Sequence, residues 1–339
     1  EERISMTSIE SERPQEASQE SAALRSRSLQ RFADAPPEFV LVFALLVLGS
    51  IFWQGSPYFI TVPNIRNLLM SVAVLGLMAV PGTFLLISGN FDLAVASTAA
   101  LSAVTVAMTA TEHGAFLGIL AALGLGLAVG AVNGFLSMYC GIASIIVTLG
   151  TMQVVRGVAL MISGGMSHRM DREIDFLTDR VFGVPIQIVL FLVVFGLGLF
   201  VSRYTRFGRS IFAIGSNPAA ARLAGIREKP SLFVMFCFSG VLAALGGLVI
   251  ASQLNAANPN TATGLELQVV AAVLLGGASL KGGRGTIHGT LLGLLILGVL
   301  QNGLTLLSIS AFWRVIATGT VLIAAVGLDQ VRIRVSGTE

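Results

Sequence analysis

An all-α integral membrane fold, a polytopic bundle of about ten transmembrane helices, is what this sequence predicts, and three observations carry the prediction. Of the 339 residues 54% are apolar and only 12% charged, with a mean hydropathy of +0.84, far outside the usual range of soluble domains. The apolar residues fall in repeated runs of roughly 17 to 25, each long enough to cross a hydrocarbon core about 30 Å thick. Runs such as IQIVLFLVVFGLGLFV do not alternate, as the strands of a transmembrane β-barrel would.

Residues 1–37 are polar, mixed in charge and nearly free of large apolar side chains, which predicts a disordered tail. The run FVLVFALLVLGSIFW follows Arg25, Arg27 and Arg31 and has no A-x-A-like cleavage site after it. It reads as a retained first span rather than a signal peptide. Spans are predicted at 38–54, 65–88, 92–111, 115–139, 142–163, 185–202, 231–253, 265–280, 286–308 and 312–328. Together they form one transmembrane domain over 38–330, followed by a short tail at 331–339.

Lys and Arg near the spans set the orientation. With the N-terminus inside, the cytoplasmic side receives Arg25, Arg27, Arg31, the whole set between Arg203 and Lys229, then Lys281, Arg284, Arg332 and Arg334. The other side keeps Arg66, Arg314 and the loop SHRMDREIDFLTDR, whose bases are offset by Asp171, Glu173, Asp175 and Asp179. Both termini and the 203–230 loop are therefore expected in the cytoplasm of a multi-pass plasma-membrane protein.

That loop contains GRSIFAIGSNPAAARLAGI, basic and free of acids. Asn217 suits an N-cap, Pro218 the first helical position and Gly225 a left-handed C-cap. The resulting helix is only about 10 Å long and is stable only if packed against something. It is either an ordinary capped connector or a small-residue surface seated in a groove of a soluble partner.

Polar side chains inside spans are costly in hydrocarbon and should face other helices or a water-filled path. The candidates are Asn133, Thr148, Gln153, Arg156, Gln268, Gln301 and Asn302, with Asp92 near a span end. They either touch a polar solute, for which neutral amides offer both donors and acceptors, or pin helices together. Either Asp92 and Arg156 pair across spans or Arg156 snorkels outward; Glu266 reads more readily as a helix cap than as a ligand contact. Glycines at four-residue spacing, Gly126, Gly130 and Gly134 and then Gly285, Gly289 and Gly293, read as close helix contacts. LISGNFDLAVAS and LLGGASLKGGRGT resemble each other weakly, the mark of an internal repeat.

Other chemistries are set aside. Cys140 and Cys237 lack metal-ligand spacing and His113, His168 and His288 are isolated, so no metal site is expected. The net charge of +3 follows from the positive-inside bias and does not imply nucleic-acid binding. Lys229 and Lys281 are the only lysines and neither sits in a G-x-x-x-x-G-K-[ST] loop, so any ATP must be bound by a partner.

The loop motif, together with ELQVVAAVLLGGASLKGGRGTIHGTLLGLLILGVLQNGL, FDLAVAS at 91–97, GAVNGF at 130–135 and IVTLGTMQVVRG at 146–157, resembles the permease subunit of ribose-type sugar-importing ABC transporters. The likeness covers most of the chain from the second span onward. It implies that the short helix is a coupling helix, with Gly208, Arg209, Ala213, Gly215, Asn217, Arg222, Ala224 and Gly225 forming the surface that docks on an ATPase subunit. It also implies that ATP and Mg are held by that ATPase, that a periplasmic binding protein delivers the sugar, and that a second permease copy completes the path among the membrane lipids. One stretch departs from the family pattern: GNFDLAVAS carries Asn90, Ala94 and Ala96 where Gly, Ser and Gly are common. Without the resemblance, an ion-coupled carrier and a non-transporting scaffold stay open, and the solute ranges from sugars to furanose-like signalling molecules.

The charge distribution predicts opposite-sided labelling of single cysteines introduced as Ser167→Cys and Ser216→Cys in a chain whose Cys140 and Cys237 are replaced. An impermeant thiol reagent added to intact cells should modify the first and spare the second; modification of both contradicts the topology.

Overall fold

The computed structural model describes residues 37–170, 174, 177 and 179–335. The expected N-terminal tail lies outside them apart from Pro37, as do residues 336–339. The helices are α1 (Pro37–Gly55), α2 (Val62–Ile87), α3 (Val95–His113), α4 (Ala115–Met138), α5 (Ser144–Ser163), α6 (Ile186–Tyr204), α7 (Arg206–Ser216), α8 (Pro218–Leu223), α9 (Glu228–Leu254), α10 (Leu265–Leu275), α11 (Ile287–Leu306) and α12 (Ala311–Val335). Two small antiparallel pairs lie between them: β1 (His168–Arg169) joins β4 (Ala256–Ala257), and β2 (Arg180–Val181) joins β3 (Val184–Pro185) in a hairpin.

Among the described residues seven helices are long and apolar enough to cross a membrane: α1, α2, α4, α5, α6, α9 and α11. The chain is thus all-helical in its membrane part and multi-pass. The three remaining predicted spans differ in kind. Helix α3 has 19 residues rich in Ala, Ser and Thr and is buried along most of its length. Helix α12 carries a shorter apolar stretch, Ala311–Gly327, and continues to Val335, past the predicted domain end at 330.

The span predicted at 265–280 stops at Leu275, giving α10 only 11 residues and a length of about 16 Å, half a hydrocarbon core. Its stop is a left-handed cap. Gly277 has φ +89, its N–H donates to the Leu274 carbonyl at 2.9 Å, and the Ala278 N–H donates to Val273 at 3.2 Å, the paired bonds that close a helix C-terminus. Helix α2 ends the same way: Gly89 has φ +78, with Gly89 bonded to Leu86 at 2.9 Å and Asn90 to Leu85 at 2.8 Å. The two weakly similar segments therefore end their helices by one device. They also meet, because the Gly283 N–H donates to the Ile87 carbonyl at 2.7 Å.

Helix α9 lies at the centre, packed against α2, α3 and α4. The α4–α9 contact is backbone on backbone. A Cβ at Gly126 would stand 2.4 Å from the Gly240 carbonyl oxygen, one at Gly130 2.3 Å from that of Phe236, and one at Gly134 3.1 Å from Phe233 and Phe236 side-chain atoms. On the α10–α11 contact, a Cβ at Gly289 would stand 2.0 Å from the Gly276 carbonyl oxygen and one at Gly293 2.0 Å from that of Ala272. Gly285 precedes α11 with φ +149, so it belongs to the turn entering that helix rather than to its packing stripe. Lipid tails are as apolar as the side chains, and close van der Waals packing of this kind is what draws such helices together.

Replacing Gly130 or Gly289 by Leu should lower folded yield, since overpacking a tight contact costs about 1–3 kcal/mol. Gly196 on α6 has no atom within 4 Å of its would-be Cβ, and Gly196→Leu should leave yield unchanged. Equal yields for all three variants, by size-exclusion chromatography, would show that the contacts do not hold the helices.

Candidate functional site

The 203–230 region contains two helices where the sequence reading placed one. Phe207, Ile211 and Ile214 recur at helical spacing, with Arg206 and Arg209 on the other face, and this is the signal for α7 that the cap-centred reading passed over. Thr205 caps it, its hydroxyl accepting the Gly208 N–H at 3.0 Å. Ile211 and Ile214 are buried against Val80, Phe84, Leu85 and Ile87 of α2, Leu232, Met235 and Phe236 of α9, and Ile287 of α11. Arg206 and Arg209 are exposed.

Helix α8 follows directly. Asn217 is extended at φ −157 and its Oδ1 accepts the Ala220 N–H at 3.0 Å. Pro218 opens the helix, and Gly225 closes it at φ +79, with Gly225 bonded to Arg222 and Ile226 to Ala221, each at 3.0 Å. Only Ala221 is buried. Ala219, Ala220, Arg222, Ala224 and Gly225 are exposed, and Leu223 is 92% exposed, an apolar side chain on a polar face that composition alone did not single out. Arg222 donates from Nη1 to Glu228 Oε2 at 2.9 Å, an exposed pair of small energy that ties α8 to the start of α9.

Two of the three glycines expected on the docking surface, Gly208 and Gly215, face the other way. A Cβ at Gly208 would lie 2.1 Å from the Val201 carbonyl oxygen, and one at Gly215 only 1.8 Å from that of Ile87 and 2.8 Å from the Gly283 nitrogen. Ala213 is half-buried. Gly208 and Gly215 therefore seat α7 on the membrane part of the chain, while α8 and the arginines form the free face.

The polar residues of the spans divide by what they bond. Asn302 and Asn64 exchange two hydrogen bonds at 2.8 and 2.9 Å, Gln301 donates to Thr318 at 2.7 Å, and buried Thr148 donates to the Ser144 carbonyl at 2.8 Å. These groups latch α11 to α2 and α12, or close on their own helix. Asp92 accepts the Ser239 hydroxyl at 2.6 Å and the Ala94 N–H at 3.0 Å. Arg156 donates to the carbonyls of Pro259 and Thr261. The two do not pair: the Phe91 N–H donates to Ser144 at the start of α5, and Arg156 stands twelve residues further on, about 18 Å along the axis. Glu266 accepts the Gly264 N–H at 3.1 Å at the start of α10.

Three candidates keep polar atoms uncommitted by such a latch. Asn133 on α4 is fully buried and neither its Oδ1 nor its Nδ2 has a protein partner, and Ser137, one turn on, shares that state. Gln268 is half-buried on α10. Gln153 is exposed in the middle of α5, on a helix where Gly150 and Gly157 also have nothing within 4 Å of a would-be Cβ.

The family model describing a branched-chain amino acid transport system / permease component matches residues 64–326. The chain is 38% identical over 295 residues to the ribose import permease protein RbsC of Escherichia coli (strain K12), covering 85% of this chain and 92% of that one. It is 38% identical over 305 residues to the L-arabinose transport system permease protein AraH of the same strain, covering 88% and 92%, and 36% identical over 293 residues to the ribose import permease protein of Haemophilus influenzae, covering 84% and 91%. No solved structure matches. The match runs from the first turn of α2 into α12 and takes in α7, α8 and every helix of the α4–α9 and α10–α11 contacts: the chain belongs to the family of transport-system permease components.

Proposed function

We propose that this chain is the membrane subunit of an ATP-binding-cassette importer that carries a monosaccharide, or a similar small polar solute, into the cytoplasm. The relatives named for ribose and arabinose support the solute class. The observation that carries the mechanism is α8. It is a capped, six-residue helix with five of its residues exposed, held on α7, whose inner face is fixed to the ends of α2, α9 and α11. A rigid knob of this size fits a groove in a separate ATPase, which binds the ATP and Mg. Movement of that ATPase then displaces α2, α9 and α11 together, because α7 has no loose attachment to them.

In this reading the chain passes the membrane ten times, α3 and α12 making one passage each and α10 sharing one with the segment 276–286. Both termini lie in the cytoplasm, and a periplasmic binding protein loads the opposite face. A second permease copy packs against the exposed face of α5, where Gly150 and Gly157 leave room for a close helix and Gln153 gains a polar setting that lipid does not offer. Gln153, Asn133 and Gln268 supply the neutral donors and acceptors suited to a sugar.

Gly215 is unsuited to testing the docking surface, because it faces inward; Ala220 is exposed. Ala220→Trp should yield a folded chain that loses both the ATPase in a pull-down and solute uptake. Arg222→Lys should be mild, since its partner Glu228 is in the same chain. Uptake by Ala220→Trp with the ATPase bound as in the wild type would reduce α8 to a connector, and wild-type uptake that survives ATP depletion while an ion gradient remains would point to a secondary carrier. Gln153→Leu should retain the ATPase and lower uptake at least about tenfold, the loss of roughly one polar contact to solute; unchanged uptake of labelled ribose and arabinose would remove Gln153 from the path.

A further inference from the structure

A cavity of about 490 Å³ opens on the face opposite α7 and α8. It is bounded by the second and third turns of α2, the β2–β3 hairpin, the start of α6 and the end of α9, and it shares no residue with the coupling face or with the polar candidates of the path. Arg66 comes from α2 and Arg180 from the hairpin, where it pairs in register with Pro185. Gln187 and Gln253 are joined by a hydrogen bond from Gln253 Nε2 to Gln187 Oε1. Asn67 and Ser71 complete the polar lining.

Among the described residues, every fixed charge in this lining has one sign: two guanidinium groups and no carboxylate. Among the described residues the ion pairs are Glu112–His113 and Arg222–Glu228, so no described carboxylate neutralises Arg66 or Arg180. The N-terminus of α6, a helix of 19 residues, reaches the cavity through Gln187 and adds a positive dipole end, while the C-terminus of α9 at Gln253 and Leu254 adds a negative one. Two arginines and side-chain amides around one cavity make a receptor for an oxyanion.

The level and the rim narrow the anion further. Arg66, Gln187 and Gln253 each lie within about one and a half turns of a helix end, which is the depth of lipid headgroups in a spanning bundle. Met70 and Leu254 also line the cavity, and Ile65, Leu69 and Leu254 are exposed beside it, so an apolar surface runs from the mouth toward the hydrocarbon. We propose that this cavity binds the phosphate group of an anionic phospholipid, the guanidinium pair holding the phosphate oxygens and the α2 and α9 side chains receiving the start of an acyl chain. The shared chemistry is a phosphate group, and free phosphate is the other source that could supply it.

The test uses the full chain purified in micelles. Native mass spectrometry counts phosphatidylglycerol retained from doped micelles, and equilibrium dialysis measures labelled inorganic phosphate. Each arginine near a membrane surface contributes about a fivefold gain in affinity for an anionic headgroup, so Arg66→Gln or Arg180→Gln should weaken retention about fivefold and the double variant about thirtyfold. The double change to Lys should retain most of the binding. Retention of the lipid with no saturable uptake of inorganic phosphate assigns the site to lipid; saturable phosphate binding that the lipid does not displace assigns it to the free anion. Should the glutamine variants misfold, phenylglyoxal modification of the wild-type chain gives the same decision, since bound phosphatidylglycerol or phosphate should shield Arg66 and Arg180. Equal binding of both probes by the wild type and a folded double glutamine variant, or equal modification of both arginines with and without the probes, overturns the proposal.

Discussion

The hydrogen bond from the Gly283 N–H to the Ile87 carbonyl, 2.7 Å long, is the interaction around which the molecule is arranged. Inside a bilayer, backbone that leaves a helix must find its partners within the protein, and both helices that break here do so at this point. Helix α2 stops at Ile87 and α10 at Leu275, each closed by its own glycine cap, and the segment after α10 returns to bond the Ile87 carbonyl. Gly215 closes on the same carbonyl from α7, so three stretches distant in sequence converge on one backbone oxygen. Only glycine permits this: a Cβ at Gly215 would stand 1.8 Å from that oxygen, and one at Gly282 3.0 Å from the Gly89 nitrogen.

In the proposed function, this convergence is what lets a partner move a chain without a nucleotide-binding motif. Helix α8 is too short to be stable alone, and α7 holds it through Ile211 and Ile214. On that proposal, a push on α8 reaches the ends of α2, α9 and α11 through packed side chains and backbone rather than through a loop. Beyond the junction, the glycine contacts of α4 with α9 and of α10 with α11 carry the displacement along whole helices, since backbones in contact cannot slide independently.

Much of this was legible in the sequence. The spans emerged from apolar run length, and the α8 boundaries from Asn217, Pro218 and Gly225, because caps are local chemistry. The same locality explains the misses. The apolar run through LLGGASL extends past Leu275, and only the left-handed φ of Gly277 shows that the helix has ended. A glycine between two spans does not declare its direction, so the sequence assigns Gly208 and Gly215 to the docking face although both turn inward. Leu223 was passed over because exposure is a property of the fold. Asn302 drew attention as a polar residue in a span, yet its partner Asn64 is 238 positions away, beyond any spacing rule. The pairing of Asp92 with Arg156 failed for a related reason, since sequence gives their identities but not their depths.

The central claim is that α7 transmits force through the Gly215 junction, separately from ATPase binding by α8. The direct measurement is the ratio of ATP hydrolysed to solute imported by proteoliposomes carrying the Gly215→Ala chain with its ATPase and binding protein. A single methyl group at this site must push α7 off the Ile87 carbonyl while leaving α8 exposed. The account predicts that the ATPase stays bound and continues to hydrolyse ATP while import falls, raising the ratio severalfold. A folded variant whose ratio equals that of the wild type would contradict it.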